Sequence, residues 1–429
     1  MSDTTADLVR RARNPEGRLI AAPEAEYERA MRVLLVIVLG LAAVLVAGLI
    51  FQMFTEEGMS NSYALLADAF LHGRLDVTQC VDIDCAFYDG KYYIVFPPGP
   101  ALVAMPFVAL FGVSFAGFIA LATVLTTGSL LVWWRILNAL RVERMTAVWI
   151  MIALAIGTPL YYVTIRGDGV WFLAQACGFL FVTLALWAAL TRRSLWLIGA
   201  FLAAAFLSRQ MTILIAPFIF AAYLRDDEKL FSFSYQRLAM LAKLATPIVI
   251  ALAAYMAYNY ARFGAPMDTG YAYIGLDFNR TDMIFQRVDQ YGLFSPEYFL
   301  FNLFHLLFQG FHVDFVGSTA TELGAMDTFG TSLLAASPFV LLAVFTKWNR
   351  VLIIGALCAA AMIAPMLLDH SNGLTQYNVQ RYVLDWLPVV IFALALTIRG
   401  GLRPAFAVLV TYAVGLNVVT SAVAFMSQS

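Results

Sequence analysis

The stretch MRVLLVIVLGLAAVLVAGLIFQMF, Met31–Phe54, holds a single charged residue, Arg32, in 24 positions. A helix crosses the hydrocarbon core of a bilayer with about 20 apolar residues, so this stretch predicts a membrane-spanning helix. The whole chain has the same character, because its 429 residues are 62% hydrophobic and only 13% charged, with a mean hydropathy of +0.78. A soluble domain cannot bury that much apolar surface, and an all-α polytopic membrane protein is therefore predicted.

Further apolar runs predict about eleven spans in total. The candidate spans are Met31–Phe54, Ser114–Trp134, Met145–Val163, Val170–Leu190, Leu195–Leu207, Thr212–Leu224, Leu241–Tyr260, Thr331–Phe345, Val351–Leu368, Tyr382–Ile398 and Ala405–Met426. The fifth and sixth are too short to cross alone, which predicts a bent pair around Ser208, Arg209 and Gln210. Residues 1–30 are predicted to be a cytosolic tail, and residues 31–429 a single transmembrane domain.

The orientation follows from the distribution of charge. With the N-terminus in the cytosol and the C-terminus outside, the cytosolic segments hold 19 of the 27 Lys and Arg residues, and the outer segments hold 18 of the 28 Asp and Glu residues. Cytoplasmic loops of membrane proteins carry an excess of Lys and Arg. The pattern predicts a bacterial inner-membrane protein whose polar chemistry faces the periplasm, and nothing in it indicates nucleic-acid binding.

Two long outer segments, residues 55–113 and 262–330, separate the spans. In the first, apolar residues at helical spacing in Asn61–Asp76 predict an amphipathic helix on the outer membrane surface, ended by Gly73. The prolines of FPPGPAL then predict the start of a half-buried helix, Ala101–Phe111. In the second segment, Ser295–Phe311 is apolar but interrupted by polar residues, which predicts another interfacial helix.

The first outer segment also carries two cysteines and a turn signal. Cys80 and Cys85 stand five residues apart, and an oxidising periplasm would permit a disulfide between them, with two free thiols as the alternative. Asp89 precedes Gly90, and Asp-Gly is a dipeptide typical of a tight hairpin turn. Asp89 is therefore expected to have a structural role in the turn in preference to a catalytic role. Cys177 and Cys358 fall within apolar spans and are expected to pack as small hydrophobes.

Charged side chains at the outer ends of the spans are candidate functional groups, because ionisable residues are costly in a membrane. Arg166 and Asp168 are either functional groups or a local ion pair. The same two alternatives apply to Arg381 and Asp385. Arg209 has no carboxylate nearby in the sequence and is expected to bind an anion. The four His residues are scattered and lack the i, i+4 spacing of a helical zinc site, so no metal ligand is assigned.

These features resemble the GT-C superfamily of integral-membrane glycosyltransferases, in particular the branch of the protein O-mannosyltransferases and the lipid A aminoarabinose transferase. The resemblance covers nearly the whole transmembrane region and is carried by SYALLADAFLHGRLD (62–76), YDGKYY (88–93), FPPGPAL (96–102), FLSRQ (206–210), YNYARFGAPMDTGY (258–271) and QRYVLDWLP (380–388). It implies a GT-C-like bundle. It also implies transfer of a sugar from a polyprenyl-phosphate carrier to a glycan, lipid or protein acceptor at the periplasmic face.

The implied reaction needs a carboxylate base, cations for the phosphate leaving group and aromatic rings against the sugar. Asp84 is the first candidate for the base. Relatives carry an acidic pair just before the Tyr-Ala of the first outer helix, and the nearest acids here are Glu56 and Glu57, so Glu57 is the second candidate. The donor phosphate is assigned to Lys91, Arg209 and Arg381. The substrate-lining residues are taken to be Asn61, Tyr63, Tyr88, Tyr93, Asp168, Arg262 and Tyr382.

No cofactor is assigned firmly, although a pair such as Asp82 and Asp84 would hold a divalent cation loosely. The expected partners are the lipid-linked donor, the acceptor and the membrane lipids. Two further hypotheses stay open: a non-enzymatic transporter or flippase of polyprenyl lipids or glycolipids, and an assembly factor whose catalytic site has decayed. The absence of an evident internal repeat disfavours a transporter built from inverted halves.

Overall fold

The structure is a computed structural model that describes residues 23–81, 84–225, 227–230, 232–275, 283–327, 329–371 and 380–428. Most of these residues are helical. The α-helices are α1 Pro23–Thr55, α2 Ser62–Leu71, α3 Gly99–Phe111, α4 Phe118–Ala139, α5 Arg144–Ile156, α6 Pro159–Ile165, α7 Val170–Leu190, α8 Leu195–Ser208, α9 Ala216–Tyr223, α10 Tyr235–Phe263, α11 Met283–Tyr291, α12 Phe299–Leu307, α13 Leu333–Ala336, α14 Arg350–Met366, α15 Leu387–Thr397 and α16 Leu402–Gln428.

Short 3-10 helices and two hairpins complete the described elements. The 3-10 helices are Gln210–Ile215, Tyr271–Tyr273, Pro296–Tyr298, Pro338–Phe345 and Arg381–Asp385. One antiparallel hairpin joins β1, Cys85–Tyr88, to β2, Lys91–Ile94, and the other joins β3, Val313–Val316, to β4, Glu322–Met326. The predicted turn at Asp89 and Gly90 is confirmed, since both residues have positive φ (50° and 73°), as a tight hairpin turn requires.

Several helices suit a membrane, which confirms the coarse prediction of a helical membrane-type fold. Among the described residues, five helices are long and apolar enough to cross a bilayer: α1, α4, α7, α10 and α16. The consecutive helices α5 and α6, bent by 47°, make a sixth if they count as one span. Other predicted spans are shorter apolar helices, such as α8, whose 14 residues extend about 21 Å.

The breaks in the short spans have local causes. The break predicted around Arg209 is confirmed: α8 ends at Ser208, Arg209 has an extended backbone (φ −150°, ψ 107°), and a 3-10 helix starts at Gln210. The predicted span Thr331–Phe345 is instead the four-residue α13 followed by the 3-10 helix Pro338–Phe345. Pro338 has no N–H to continue the helical hydrogen bonds of α13, which accounts for the interruption.

The helices run back and forth between two ends that differ in their connections. At one end the loops are short, and Arg192, Arg225, Arg237, Arg350 and Arg403 lie on or beside them. We call this the arginine-rich end. Glu228 accepts from Arg192 (3.5 Å) and lies 3.6 Å from Arg237, and Arg350 donates to the carbonyl oxygen of Arg225 (2.9 Å). The opposite end carries the long segments between α1 and α4 and between α10 and α13.

The first long segment folds as a layer over the ends of the bundle. Buried residues of α2, α3 and the β1–β2 hairpin form one apolar cluster with the first turns of α4 and α7. The prediction that α2 lies on the membrane surface is wrong, because Ser62 to Ala67 are buried and the helix packs against α3. The apolar face of α2 thus meets protein and not lipid. Gly73 (φ 66°) follows the helix end as predicted.

The second long segment contains α12, which has the character of an interfacial helix. Leu300, Phe304 and Phe308 recur at i, i+4 and i+8 and are more than half exposed. On the other face, buried Asn302 donates to the carbonyl oxygens of Met366, Leu367 and Asp369 at 2.8–3.2 Å. Asn302 therefore fixes α12 to the end of α14, and the apolar face of α12 points outward.

At the N-terminus, α1 begins at Pro23, so the last part of the predicted tail is helical. Residues 1–22 lie outside the described residues. The predicted disulfide between Cys80 and Cys85 is confirmed.

Candidate functional site

A cavity of about 340 Å³ opens between the bundle and the two long segments, at the end opposite the arginine-rich loops. We call this the cavity end. A second cavity of about 320 Å³ adjoins it, and the lining residues that the two share are Arg209, Gln210, Tyr271, Leu293, His370, Ser371 and Tyr382. The residues that line one or both cavities come from several places, which include α7, the break after α8, the loop after α10 and the 3-10 helix Arg381–Asp385. Four of the predicted site residues, Asp84, Arg209, Arg381 and Tyr382, lie in this lining.

Asp84 enters the cavity from the start of the β1–β2 hairpin. The disulfide Cys80–Cys85 closes the loop just before β1, and an isolated bridge pairs Ala86 with Ile274 of the second long segment. The indole Nε1 of Trp171, in the first turn of α7, donates to Asp84 Oδ2 at 2.5 Å. A disulfide, a strand pairing and a side-chain hydrogen bond therefore act together to fix the position of this carboxylate.

Arg209 occupies the break between α8 and the following 3-10 helix, where its guanidinium meets Asp385. Nε donates to Asp385 Oδ1 (3.3 Å) and Nη2 to Oδ2 (2.8 Å), and the carboxyl side chain is only 4% exposed. Asp385 thus pairs with Arg209 and does not form the local ion pair with Arg381 that was one of the two alternatives for these residues. This buried, two-point ion pair offsets much of the charge of Arg209.

Gln175 of α7 completes this ion pair. With its amide oriented to suit its neighbours, the nitrogen donates to Asp385 Oδ1 (3.2 Å), and the oxygen accepts from Arg209 Nη2 (3.0 Å) and Nε (3.2 Å). Gln175 is 1% exposed. A buried polar side chain in an apolar helix is tolerated where its hydrogen bonds are satisfied, and here both ends of the amide are.

Arg381 stands among aromatic rings at the cavity wall. Its Cζ atom lies 5.8 Å from the ring centroid of Trp171, 5.5 Å from that of Phe172 and 4.9 Å from that of Tyr382. Arg209 Cζ lies 4.8 Å from the same Tyr382 ring. The negative face of an aromatic ring attracts a cation, so these rings keep two guanidinium groups side by side despite their like charge.

The facing wall of the cavity is largely apolar. It is formed by α11 and by Ile274 and Leu293 on either side of it, and the lining residues of the helix are Met283, Ile284, Phe285 and Val288. Tyr271 also lines the cavity. Burial, followed by the neighbouring Tyr382 and Asp84, raises the pKa of the Tyr271 hydroxyl well above its usual range, so this group stays neutral and can donate.

No protein-family model, curated protein or solved structure matches this chain. The chemistry of the cavity is therefore argued from its residues. A carboxylate, two guanidinium groups, a neutral phenol and an apolar wall meet within one cleft, a set suited to a ligand with both an anionic group and a hydrocarbon portion.

Other predicted site residues lie in the layer formed by the hairpin. Lys91 is more than half exposed and faces Asp76, 3.8 Å away. Tyr88 and Tyr93 pack against Phe263, with ring centroids 5.6 Å and 5.3 Å from it. Neither these rings nor Lys91 line the cavities.

Arg262 is buried at the end of α10 and belongs to the same layer. It donates to the carbonyl oxygen of Ile94 (2.7 Å) and to Asn259 Oδ1 (2.8 Å). Its Cζ atom lies 3.8 Å from the ring centroid of Tyr258. These contacts fasten the hairpin to α10 and place the Arg262 side chain outside the cavity lining.

The residues around the start of α2 form a further polar group beside the cavity. Asn61 caps α2 and donates from Nδ2 to the carbonyl oxygen of Gly167 (3.2 Å), while Arg166 and Asp168 form the local pair considered above (3.4 Å). Tyr63 is fully buried, and its hydroxyl has no hydrogen-bond partner among the described residues.

The two acids before α2 differ in their surroundings. Glu57 is exposed and lines neither cavity. Glu56 accepts from the backbone N–H groups of Phe118 (2.7 Å) and Ile119 (2.9 Å) at the first turn of α4. Burial raises the pKa of the Glu56 carboxyl even though these two donors oppose the shift. Glu56 therefore has a capping role that joins α1 to α4.

Within the described residues, no group of three His, Cys, Asp or Glu side chains is arranged to hold a metal ion. Asp82, half of the pair considered for a divalent cation, lies outside the described residues.

Sequence reasoning missed Trp171, Gln175 and Tyr271 as lining or positioning residues. Trp171 and Gln175 carry a detectable signal, since they stand at i and i+4 near the start of an otherwise apolar helix.

Proposed function

We propose that this protein is a membrane glycosyltransferase of the GT-C type. It takes a sugar from a polyprenyl-phosphate-linked donor and transfers it to a hydroxyl group of a glycan, lipid or protein acceptor. In this proposal the bundle of about eleven predicted spans lies in the bacterial inner membrane with the N-terminus in the cytosol. The cavity end then faces the periplasm, as the excess of Lys and Arg in the loops of the other end favours.

The observation that carries the proposal is the meeting of Asp84, Arg381 and an apolar wall in one cavity of about 340 Å³. A polyprenyl-phosphate sugar has three parts: a hydrocarbon chain, a phosphate and a polar sugar. The apolar wall of α11 suits the first isoprene units, and the guanidinium groups suit the phosphate. The rest of the cavity lining, which includes Asp84, is left for the sugar.

Asp84 is proposed as the general base. As the acceptor hydroxyl oxygen attacks the anomeric carbon, its proton passes to the Asp84 carboxylate. The bond between the anomeric carbon and the phosphate oxygen breaks, and that oxygen leaves with the electron pair on the polyprenyl phosphate. The reaction needs no oxidant or further reactant.

Arg381 is proposed as the main contact for the leaving phosphate. Charge on that phosphate grows in the transition state, and a cation placed in a water-poor cleft stabilises it strongly. Arg209 contributes less, because Asp385 already accepts from its Nε and Nη2 atoms. Lys91 is left without a phosphate role in this assignment, since it faces Asp76 away from the cavity.

Transfer from a synthetic polyprenyl-phosphate sugar in proteoliposomes tests the proposal. Asp84→Asn keeps the shape of the side chain and removes the base, and the expected loss is about 10²–10⁴-fold in kcat. Glu57→Gln is the matched control, because Glu57 is exposed outside the cavity, and it should keep activity near that of the wild type. Full activity of Asp84→Asn would remove Asp84 as the base. A protein that moves the intact lipid across the membrane without transferring its sugar would be a transporter.

A further inference from the structure

One face of α7 touches both carboxylates of the cavity. Trp171, Ala174, Gln175 and Gly178 stand at i, i+3, i+4 and i+7, so they share a single face of the helix. Trp171 and Ala174 line the cavity directly. Because these residues belong to one rigid helix, their spacing also sets the spacing of the groups that they hold.

Trp171 fixes Asp84. An indole nitrogen can only donate, so the 2.5 Å contact from Trp171 Nε1 to Asp84 Oδ2 selects one orientation of the carboxylate. The Trp171 ring also lies beside Arg381, 5.8 Å from its Cζ atom. A single side chain thus contacts the proposed base and the proposed phosphate ligand.

Gln175, one turn further along, fixes the second carboxylate. Its amide bridges Asp385 and Arg209 at 3.0–3.2 Å, and its side chain is only 1% exposed. A leucine at this position would satisfy the apolar helix equally well. The amide is therefore explained by the ion pair that it bridges.

Gly178 makes room for the arginine. A Cβ atom at this position would stand 2.9 Å from Arg209 Cγ and 3.4 Å from its Cβ. Real carbon contacts are rarely that short, so the stem of Arg209 passes α7 where a side chain is absent. Three neighbouring positions of one helix face thus serve Asp84, Asp385 and Arg209.

We propose that this face of α7 is the positioning element of the cavity, with Trp171 orienting the Asp84 carboxylate and Gln175 orienting the Arg209–Asp385 pair. The inference rests on the proposed function, and it assigns roles to residues that do not themselves carry out proton transfer. Loss of either contact should leave the fold and the donor cavity in place while the reacting groups lose alignment.

The test compares two Trp→Phe variants of the same helix. Trp171→Phe keeps an aromatic ring and removes the donor, whereas Trp187→Phe alters the other end of α7, where Trp187 lies beside Arg193. We expect Trp171→Phe to lower kcat about 10–100-fold with little change in KM. A carboxylate that loses a donor binds its proton more tightly, so the acidic limb of the kcat/KM profile should move to higher pH. Trp187→Phe should change neither quantity.

Two further variants guard against a trivial loss of fold. Trp171→His, which restores a ring N–H, should recover part of the lost kcat, and Gln175→Met should raise KM for the donor about 10-fold through the loosened Arg209. Correct folding is checked by the elution profile and the melting temperature of each variant. Wild-type kcat, KM and pH profile in both Trp171→Phe and Gln175→Met would overturn the inference.

The outcome is distinguishable from a failure of the proposed function itself. If Asp84→Asn keeps full activity, the assignment of the base is wrong whatever Trp171→Phe does. If Asp84→Asn is inactive while Trp171→Phe behaves as the wild type, the base stands and only the positioning role of α7 is wrong.

Discussion

The two ends of the helical bundle use the same side chains in different surroundings. At the arginine-rich end, Glu228 accepts from Arg192 and from the backbone N–H of Arg225, and Arg350 donates to backbone carbonyl oxygens of a short loop. Arg192 and Arg225 are exposed, and Glu228 and Arg350 are partly exposed. At the cavity end, Asp385 and Arg209 pair in a buried position, and Asp84 is held by an indole.

The difference shows what burial adds to an ionic group. An exposed pair is screened by water and contributes little to stability, whereas a buried pair is costly to break, because the remaining charge has no water to solvate it. The arginine-rich end can therefore tolerate substitutions that the cavity end cannot. The loops follow the same division, since the connections are short at the first end and long at the second.

The largest effect is expected for Asp385→Asn at the cavity end. Removal of one partner of a buried ion pair leaves Arg209 without its counter-charge, and the expected loss is about 3 kcal/mol of stability. Thermal unfolding of the purified protein in detergent measures it. Asp168→Asn is the control, because Asp168 and Arg166 are both partly exposed, and its cost should be below about 1 kcal/mol. Equal losses of stability in the two variants would show that burial does not determine how much each ion pair contributes to stability.

Arg381→Gln should act on activity more than on stability. Loss of the cation beside the leaving phosphate is expected to lower kcat about 10²–10³-fold, as measured by transfer from the polyprenyl-phosphate sugar. Arg193→Gln removes a guanidinium that also stands over a ring, that of Trp187, but at the arginine-rich end. That variant should keep wild-type activity. A comparable loss in Arg193→Gln would remove the distinction between the two ends.

The disulfide near Asp84 should contribute an intermediate amount. Opening of the short loop between Cys80 and Cys85 in the Cys80→Ser/Cys85→Ser variant is expected to cost about 2 kcal/mol. Because Asp84 lies within this loop, kcat should fall as well, while Cys358→Ser in α14 should leave kcat unchanged. Wild-type kcat in the double variant would show that the strand pairing and Trp171 suffice to hold Asp84.

The smallest effect is expected at Glu228. The backbone N–H of Arg225, with Arg192 and Arg237, holds the pKa of this carboxyl below its usual range. A lowered folded-state pKa gives stability that is present above the unfolded-state pKa and is lost as the pH falls through the folded-state pKa. Since the Glu228 side chain is partly exposed and therefore screened by water, Glu228→Gln should cost about 0.5 kcal/mol at neutral pH and nothing in strong acid. A pH-independent difference in melting temperature would contradict this account.

The local features of the fold could be predicted from the sequence. The bounds of α7, Val170–Leu190, follow directly from its apolar run, and the hairpin turn follows from Asp89 and Gly90. The surface position predicted for α2 is wrong. An amphipathic pattern shows that one face of a helix is apolar, but it does not show whether that face contacts lipid or protein. Only the position of α3 decides between them, and α3 is a tertiary neighbour.

The cavity residues could be predicted only in part, because some of them are identified by local sequence features and others only by tertiary contacts. Charges at span ends singled out Arg209 and Arg381, and the polar loop singled out Asp84. The partners of these groups are distant in sequence: Asp385 lies 176 residues from Arg209, and Trp171 lies 87 residues from Asp84. Tyr88 and Tyr93 are aromatic and lie close to Asp84 in the sequence. In the hairpin, however, their rings pack against Phe263 and lie outside the cavity lining.

The central claim is that the cavity end binds a polyprenyl-phosphate lipid through Arg381. Mass spectrometry of the lipids that co-purify with the protein tests it most directly, with Arg381→Gln and Arg193→Gln prepared in parallel. We predict that a polyprenyl phosphate or its sugar-linked form is enriched over bulk phospholipid in the wild type and in Arg193→Gln, and is depleted in Arg381→Gln. Bulk phospholipid alone in all three preparations, or equal prenyl lipid in all three, would contradict the claim.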